Sequence, residues 1–329
     1  MEIINENIFH LYNKWKEGYV RKETALEEKI KPMMEWAKEA FEEEDFDKMD
    51  FDAEGITMNG KLEIDDYCLV NGELPYPFVK CNKLQVMNNT HINTMKNFPM
   101  EVAGEFVCRH TYISSLEGCP QKVGKHISLN FSKSLTSLKG LPKKNISNLN
   151  IRFCSITSLE GCSEEISHSF ECSYCTSLTS LVGAPKKVKE HFYCDNCDGL
   201  TSLVGAPEIV KGGFDCSHCA SLTSLEGAPD EVMSFDCCGC VGLTSLKGGP
   251  STVYGEYNCW GCVNLTSLDG LPKEVHTLYL DNCSQLTSLE GIGVIKKKLS
   301  VRNCGKPFNQ NEINYALKDS YDYNVEVLK

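Results

Sequence analysis

Apolar residues recur along most of this chain with a period of 21 or 22 residues. The most regular block reads Leu-Thr-Ser-Leu, any residue, Gly, any residue, Pro. Its second leucine falls at Leu116, Leu138, Leu159, Leu181, Leu203, Leu225, Leu246, Leu268 and Leu289, and Met95 extends the series one step toward the N-terminus. A unit this short cannot bury its own apolar side and has to stack on its neighbours. The period therefore predicts a solenoid.

Aligning the units by this leucine produces columns of equivalent residues. The first apolar column is Phe106, Ile127, Leu149, Phe170, Phe192, Phe214, Phe235, Tyr257, Leu278 and Leu299. The second apolar column, two residues later, is Cys108, Leu129, Ile151, Cys172, Cys194, Cys216, Cys237, Cys259, Leu280 and Val301. A spacing of two along an extended chain places both columns on one face of a parallel sheet. We predict that this face forms the core.

A third column follows three residues after the second and combines small polar residues with cysteines. It is Thr111, Ser132, Cys154, Cys175, Cys197, Cys219, Cys240, Cys262, Cys283 and Cys304. The stretch Phe192-Tyr-Cys-Asp-Asn-Cys197, followed by Leu200-Thr-Ser-Leu203, resembles the leucine-rich repeat pattern L-x-x-L-x-L-x-x-N/C-x-L. The short unit, with Leu-Pro or Ala-Pro after its glycine, is similar to the LPX-type repeats of secreted bacterial effectors and to repeats of large bacteriophages. The resemblance covers residues 90–304. It implies an α/β repeat fold, a leucine-rich-repeat solenoid with a parallel β-sheet on its concave face.

The N-terminal segment has a different pattern. Residues 1–54 are predicted to form a small, acidic helical region, since Ile8, Leu11, Tyr12 and Trp15 share one helical face. A capping box at Thr24 and Glu27 begins a second helix, which we expect Pro32 to end or kink.

The remaining segments flank the array. Residues 55–100 carry two turn signals, Asn59-Gly60 and Asn71-Gly72, and are predicted to be capping strands or irregular first repeats. The regular solenoid is assigned to residues 101–304. Residues 305–329 are predicted to form a C-terminal helical cap, because Ile313, Ala316 and Leu317 have helical spacing.

Charge narrows the classes of partner. The 329 residues carry a formal net charge of −12, which argues against nucleic acid because phosphate backbones require clustered Lys and Arg. No apolar run approaches the ~18 residues of a membrane span, and the polar N-terminal sequence lacks the pattern of a signal peptide. We therefore expect a cytoplasmic protein, in the host cytoplasm if it is viral, with no membrane partner.

Nineteen cysteines suggest metal binding, because five pairs have the C-x-x-C spacing of structural zinc sites. These pairs are Cys172/Cys175, Cys194/Cys197, Cys216/Cys219, Cys237/Cys240 and Cys259/Cys262. Their columns favour another interpretation. The first cysteine replaces Leu or Ile in the core, and the second replaces Thr or Ser, which bond backbone groups at turns. We predict reduced, structural thiols with no metal and no cofactor. Cys238, expected to face outward, is the best candidate for a reactive thiol.

The positions around the core columns are predicted to face outward, and they vary from unit to unit. Large rings occur there at Phe131, Phe153, Tyr174, Tyr193, Trp260 and Tyr279. An acidic patch of Glu171, Asp195, Asp215 and Asp236 is bordered by Arg109 and Arg152. Tyr and Trp are frequent anchors of protein interfaces, so we predict that these twelve residues bind a partner. The alternative is that the rings stack to stabilise the sheet and that the acids are solvated.

These observations predict a non-enzymatic protein that binds a protein partner on the concave face. His191 and His218 near the acids form no recognisable catalytic set, and the glycine-rich phosphate motifs do not occur. The resemblance to effector and phage repeats implies a host protein that is blocked or redirected. Two alternatives of other classes stay open. One is a metal- or redox-sensing protein that uses the C-x-x-C ladder, and the other is a structural component that self-assembles through its N-terminal helices.

Overall fold

The computed structural model describes residues 25–88, 90–320 and 323–329. The helical face predicted around Ile8, Leu11, Tyr12 and Trp15 lies outside the described residues. From residue 56 onward the chain winds into stacked turns, and the strand of each turn pairs in parallel with the strand of the next. The predicted repeat solenoid with one long parallel sheet is confirmed.

The strands of the long sheet have two or three residues in the regular array, and longer strands of six to nine residues flank it. In spatial order they are Met49–Phe51, Ile56–Ile64, Phe78–Val86, Phe106–Cys108, His126–Ser128, Asn148–Asn150, Phe170–Glu171, Phe192–Tyr193, Gly213–Asp215, Ser234–Asp236, Glu256–Asn258, Glu274–Tyr279, Val294–Ser300 and Glu326–Leu328. Met49–Phe51 pairs in the antiparallel sense. We number rungs 1 to 10 by the residues of the first apolar column, from Phe106 in rung 1 to Leu299 in rung 10.

Two-residue strands precede the long sheet in most turns and pair with one another in three separate short ladders. These strands are Glu101–Val102, Lys122–Val123, Glu165–Ile166, Lys187–Val188, Ile209–Val210, Glu231–Val232 and Thr252–Val253. Neighbouring rungs also bond through their backbones on the Leu-Thr-Ser-Leu side, where the Leu203 amide donates to the Glu226 carbonyl at 3.0 Å. A solenoid curves when neighbouring rungs are closer together on one side than on another. Backbone hydrogen bonds between rungs on three sides keep these distances similar, which favours a weakly curved face over a deep concavity.

The core is made of the columns that the repeat predicts. Every residue of both apolar columns is buried, as are the leucines of the Leu-Thr-Ser-Leu blocks. The rings of Phe170, Phe192 and Phe214 stack in sequence, with centroid separations of 5.1 Å. Each rung buries its apolar side against the rungs above and below, which is how an array of marginal units becomes stable.

Both ends of the array differ from the pattern read in the sequence. A helix covers residues 25–40 without a break at Pro32, and it buries Met33 and Ala37 in the core. This packing outweighs the backbone hydrogen bond that proline removes. A short helix follows at Glu43–Phe46, and Asp66–Cys68 is a 3₁₀ turn.

The two Asn-Gly signals have different outcomes. Asn71-Gly72 forms the predicted turn, with positive φ at both residues. Asn59-Gly60 lies inside the strand Ile56–Ile64, so its predicted turn is wrong. Met58 pairs with the strands on both sides and Lys61 pairs with Lys83, so the strand stays extended across Asn59-Gly60, where the register is irregular.

The C-terminal helix spans Gln310–Ala316 and begins with a capping box between Asn309 and Glu312. It buries Ile313 and Ala316, as their helical spacing predicts. A 3₁₀ turn at Lys318–Ser320 then leads to the strand Glu326–Leu328, which extends the sheet beyond rung 10. This last strand was not anticipated from the sequence.

Candidate protein-binding face

The outward side of the long sheet displays three columns of side chains, which we call A, B and C. Column A is Val107, Ser128, Asn150, Glu171, Tyr193, Asp215, Asp236, Asn258, Tyr279 and Ser300 for rungs 1 to 10. Column B is Arg109, Asn130, Arg152, Ser173, Asp195, Ser217, Cys238, Trp260, Asp281 and Arg302. Column C is His110, Phe131, Phe153, Tyr174, Asn196, His218, Gly239, Gly261, Asn282 and Asn303. All twelve predicted binding residues lie in these columns and are at least partly accessible.

Only column A lies on regular strand, which corrects the expectation that all three columns are extended. Columns B and C form a tight turn, and all ten residues of column C have positive φ between 52° and 69°. The turn brings the following Thr, Ser or Cys back into the core. The ladder continues through it, since the Phe153 amide donates to the Ser173 carbonyl at 3.1 Å. Gly and Asn adopt this conformation readily, whereas Phe and Tyr in it are strained.

Four rings at the N-terminal end of column C form a continuous stack. The ring centroids of His110, Phe131, Phe153 and Tyr174 are separated by 4.4, 4.5 and 4.4 Å, with interplanar angles of 12° or less. The stacking predicted as an alternative to binding therefore occurs on these rungs. Stacking covers the faces of the Phe131 and Phe153 rings, while their edges stay at the surface. Tyr174, at the end of the stack, is 37% exposed.

Arg152 lies over this stack and outside any ion pair among the described residues. Its guanidinium carbon is 5.7 Å from the Phe153 ring centroid and 5.6 Å from that of Tyr174. The Nε atom is buried without a hydrogen-bond partner in the described chain. Arg152 thus keeps its positive charge free at the border of the acidic patch, and Arg109 is exposed two rungs away.

The acidic patch begins at the next rung. The parallel register aligns Glu171, Tyr193, Asp215 and Asp236 on consecutive rungs of column A, and Asp195 lies beside them in column B. Glu171 accepts a hydrogen bond of 2.7 Å from the Asn150 amide group, and Asp195 accepts from Ser173. The four carboxylates therefore form one surface rather than scattered charges.

Two of these carboxylates also stabilise the fold, a role that the sequence analysis missed. Asp215 accepts from the Ser217 backbone amide at 2.9 Å, and Asp236 accepts from the Cys238 backbone amide at 2.8 Å. Asn150 and Asn258 make the same bond in their rungs. Such bonds to the amide two residues on fix the end of the strand. The recurrence of Asn and Asp in column A was the available signal.

Burial and like charge both act on this patch. Burial raises the pKa of Asp215, and the neighbouring Asp236 and Asp195 raise it further. The pKa of Tyr193 is also raised, first by burial and then by Glu171 and Asp215. A positively charged partner would relieve the repulsion between these carboxylates, so the patch is suited to basic groups.

The remaining two predicted rings lie apart from the stack. Trp260 is 44% exposed in column B of rung 8. Tyr279 is half-buried in rung 9, with the Lys298 ammonium 6.0 Å from its ring centroid. Beside Trp260, a Cβ on Gly261 would meet no atom closer than 3.9 Å, whereas the His218 ring covers Gly239, where a Cβ would lie 2.4 Å from its Nδ1 atom.

The cysteine columns form a hydrogen-bond ladder. From Cys154 to Cys304, each third-column thiol donates to the carbonyl of the second-column residue in the preceding rung, at 3.1 to 3.3 Å. Burial raises the pKa of the Cys154 and Cys259 thiols to about 12, which keeps them protonated. All nineteen cysteines are free thiols. The ladder gives the C-x-x-C pairs a structural role.

Cys238 is half-buried rather than freely exposed, and its sulfur lies 3.5 Å from Nε2 of His218. Burial raises the pKa of the Cys238 thiol to about 12, and the nearby Asp236 contributes. A thiolate is the nucleophilic form of cysteine, so these surroundings disfavour the reactivity predicted for Cys238. His191 accepts the Gly213 backbone amide at 3.0 Å through Nδ1.

Within residues 25–88, 90–320 and 323–329, no group of three or more His, Cys, Asp or Glu side chains is placed to hold a metal ion. Across the same part of the chain, no helix combines the length and apolar character needed to cross a membrane.

Comparisons with known proteins give one structural neighbour. No protein-family model matches the chain, and no curated protein matches it. A leucine-rich repeat protein from Bacteroides ovatus is similar over 85% of this chain and 98% of its own, at 14% sequence identity and a TM-score of 0.30. Because this TM-score is low, the fold assignment rests on the stacked turns of this chain and the parallel pairing of their strands.

Proposed function

We propose that this chain is a non-enzymatic binding protein that engages a protein partner through columns A, B and C. The observation that carries the proposal is the contrast between a uniform frame and a varied surface. The core columns repeat nearly unchanged, whereas the outward columns combine a ring stack, a carboxylate patch and an exposed Trp260. Extended solenoid faces of this kind serve as binding surfaces, and rings and charges are the side chains that anchor them.

The thiol ladder does not support the alternative of a metal or redox sensor. The third-column thiols from Cys154 to Cys304 already donate to backbone carbonyls in the preceding rung. A ligand role would require deprotonation and would break these bonds. The similarity to effector and phage repeats supports a narrower form of the proposal, in which the partner is a host protein that is blocked or redirected.

Affinity capture from an extract of the native host tests this function. We expect Tyr193→Ala combined with Trp260→Ala to abolish capture while leaving the melting temperature nearly unchanged, since both side chains lie on the outward face. A matched control, Val182→Ala with Tyr254→Ala, truncates residues that are 46% and 58% exposed away from this face. Retained capture by the first pair, or equal loss by the control pair, contradicts the proposal.

A further inference from the structure

We propose that an extended segment of the partner lies along column B and presents an acidic group, two basic groups and an apolar group in that order. The inference rests on the proposed function, that this face binds protein, and it specifies the chemistry of the bound segment. It follows from the size, charge and spacing of the side chains between Arg152 in rung 3 and Trp260 in rung 8.

The side chains of column B change from long to short and back to long along the array. Between Arg152 and Trp260, rungs 4 to 7 carry Ser173, Asp195, Ser217 and Cys238. Ser173 and Ser217 are only 2% and 7% exposed, whereas Trp260 is 44% exposed. The four short side chains form the floor of a shallow channel, which we call the column B channel. Column A borders it on one side and column C on the other, so a segment lying in it runs across the strands.

The N-terminal end of the channel carries a positive charge that forms no salt bridge within the described chain. The Arg152 guanidinium is 5.7 Å from the Phe153 ring centroid and 5.6 Å from that of Tyr174, so its charge lies between rungs 3 and 4. Its Nε atom donates no hydrogen bond to any described residue. A guanidinium presents a fork of donors that matches a carboxylate. This end is therefore suited to an acidic group of the partner.

The middle of the channel carries negative charge that also lacks a counterion. Asp195 lies on the floor, and Glu171, Asp215 and Asp236 lie along the column A border. None of these four carboxylates forms a salt bridge with a described residue. Asp195 already accepts hydrogen bonds from neighbouring side chains, but a carboxylate has room for about four such bonds. Lysine or arginine side chains can therefore bind here without breaking the bonds of the fold.

The C-terminal end of the channel is apolar. Trp260 stands beside Gly261, where a Cβ would meet no atom closer than 3.9 Å. Open space next to a large exposed ring accommodates an apolar side chain, and tryptophan is a frequent anchor of protein interfaces. This end is therefore suited to an apolar residue of the partner.

The spacing of these groups fits every second residue of an extended chain. From the Arg152 charge to Trp260 is about four and a half rungs, or ~22 Å at ~4.8 Å per rung. Seven extended residues span ~20 Å from first to last, and their odd-numbered side chains share one face. These four side chains then meet Arg152, Asp195, Asp215 and Trp260 in turn. The predicted pattern, in either chain direction, is acidic, any, basic, any, basic, any, apolar.

Peptide titrations of the full chain test this pattern. The probe is acetyl-Glu-Ser-Lys-Ser-Lys-Ser-Phe-amide, and the control peptide, acetyl-Lys-Ser-Phe-Ser-Glu-Ser-Lys-amide, has the same composition and net charge in a different order. Calorimetric titration at ~0.05 M salt keeps the screening of charges weak. We expect the probe to bind at least ~10-fold more tightly than the control peptide. Equal affinity for the two peptides overturns the proposal.

Exchanges at the two ends of the channel assign the order of the groups. Arg152→Glu should weaken binding of the probe at least ~10-fold and should strengthen binding of a peptide whose first residue is lysine instead of glutamate. Trp260→Ala should weaken binding of the probe but not of a peptide with serine in the seventh position. Arg109→Glu, on the same face but outside the channel, is the matched control and should have a smaller effect than Arg152→Glu.

Circular dichroism checks that each variant is folded. If Arg152→Glu does not fold, Arg152→Gln removes the charge and should abolish the preference for glutamate over lysine in the first position. A folded Arg152 variant that weakens the two peptides equally, or an equal effect of Arg109→Glu, shows that the assigned order is wrong. These results concern only the chemistry of the bound segment, so the extract experiment decides the proposed function separately.

Discussion

The hydroxyl group of Tyr257 is buried and has no hydrogen-bond partner among the described residues. Its ring is fully buried in the first apolar column, where rungs 4 to 7 carry Phe. Gly249 provides the space for the hydroxyl, because a Cβ built there would lie 2.9 Å from the hydroxyl oxygen. The equivalent residue before the proline is Ala206 in the connection leading to Phe214. Tyrosine and glycine thus occur as a compensating pair.

The magnitude follows from the cost of an unpaired polar group. A buried hydroxyl without a partner costs about 1–3 kcal/mol, so we expect Tyr257→Phe to raise the free energy of unfolding by about 1 kcal/mol or more. Gly249→Ala should lower it by about 1 kcal/mol in the wild type through overpacking. In the Tyr257→Phe background the same change should cost less, because the contact with the hydroxyl oxygen is gone while the contacts with the Leu246 carbonyl oxygen and the Leu225 side chain remain. The two sites therefore couple, within the ~0.5–3 kcal/mol range of contacting residues.

Equilibrium unfolding in urea measures these four proteins, and rung 6 supplies the control. Phe214→Tyr introduces a hydroxyl opposite Ala206 and should destabilise, whereas adding Ala206→Gly should recover part of the loss. If Tyr257→Phe lowers the free energy of unfolding, the hydroxyl has a partner in solution and the reasoning is wrong. Equal effects of Gly249→Ala in both backgrounds would show that the two residues are not coupled.

Two further predictions concern the carboxylate patch and the thiol ladder. Asp215→Asn keeps an acceptor for the Ser217 amide but removes the charge near Asp195 and Asp236, so it should stabilise by about 0.2–1 kcal/mol at neutral pH. Because the pKa of Asp215 is raised in the fold, its carboxylate destabilises above that pKa and protonation relieves the strain. The gain should therefore shrink in melting experiments as the pH falls toward the ordinary value of ~4, and a constant gain contradicts the assignment. Cys219→Ser keeps a donor for the Cys194 carbonyl, whereas Cys219→Ala does not. In urea unfolding, the free energy of unfolding of the alanine variant should be lower than that of the serine variant by about 1 kcal/mol. Equal stability of the two variants would show that this hydrogen bond does not contribute.

The core was predictable from the sequence because its signal repeats ten times. The column that contains Cys172 also contains Leu129 and Ile151, which identifies a buried apolar position whatever residue occupies it. The column that contains Cys197 also contains Thr111 and Ser132, which identifies a position that bonds backbone. Substitution within a column reports the physical environment, and ten instances average out individual exceptions.

The local geometry of the face was less predictable. Column C was read as extended strand, although Asn196, Gly239 and Gly261 are the residue types of a left-handed turn. The large rings of Phe131 and Phe153 hid this signal, since such residues avoid positive φ. Stacking with the rings of the neighbouring rungs compensates for the strain, and a single repeat read alone does not contain that information.

The caps show how tertiary contacts override local preference. Asn59-Gly60 is a strong turn signal, yet the pairing of the residues around it with the neighbouring strands keeps the chain extended. Pro32 interrupts local helix bonding, yet burial of Met33 and Ala37 maintains the helix. Neither outcome follows from the residues nearby, because in each case the deciding contacts come from elsewhere in the chain.

The thiol ladder gives the array a direction that bears on its origin. The Cys197 thiol donates to the rung before it, and the Cys194 carbonyl accepts from the Cys219 thiol of the rung after it. Every such unit thus offers one donor backward and one acceptor forward. A copied unit inserted between two others leaves no thiol or carbonyl unmatched. Gene segments that encode one rung can therefore be duplicated or lost with little penalty at the junctions, so the length of the array is free to change over evolution while each surviving face residue diverges on its own.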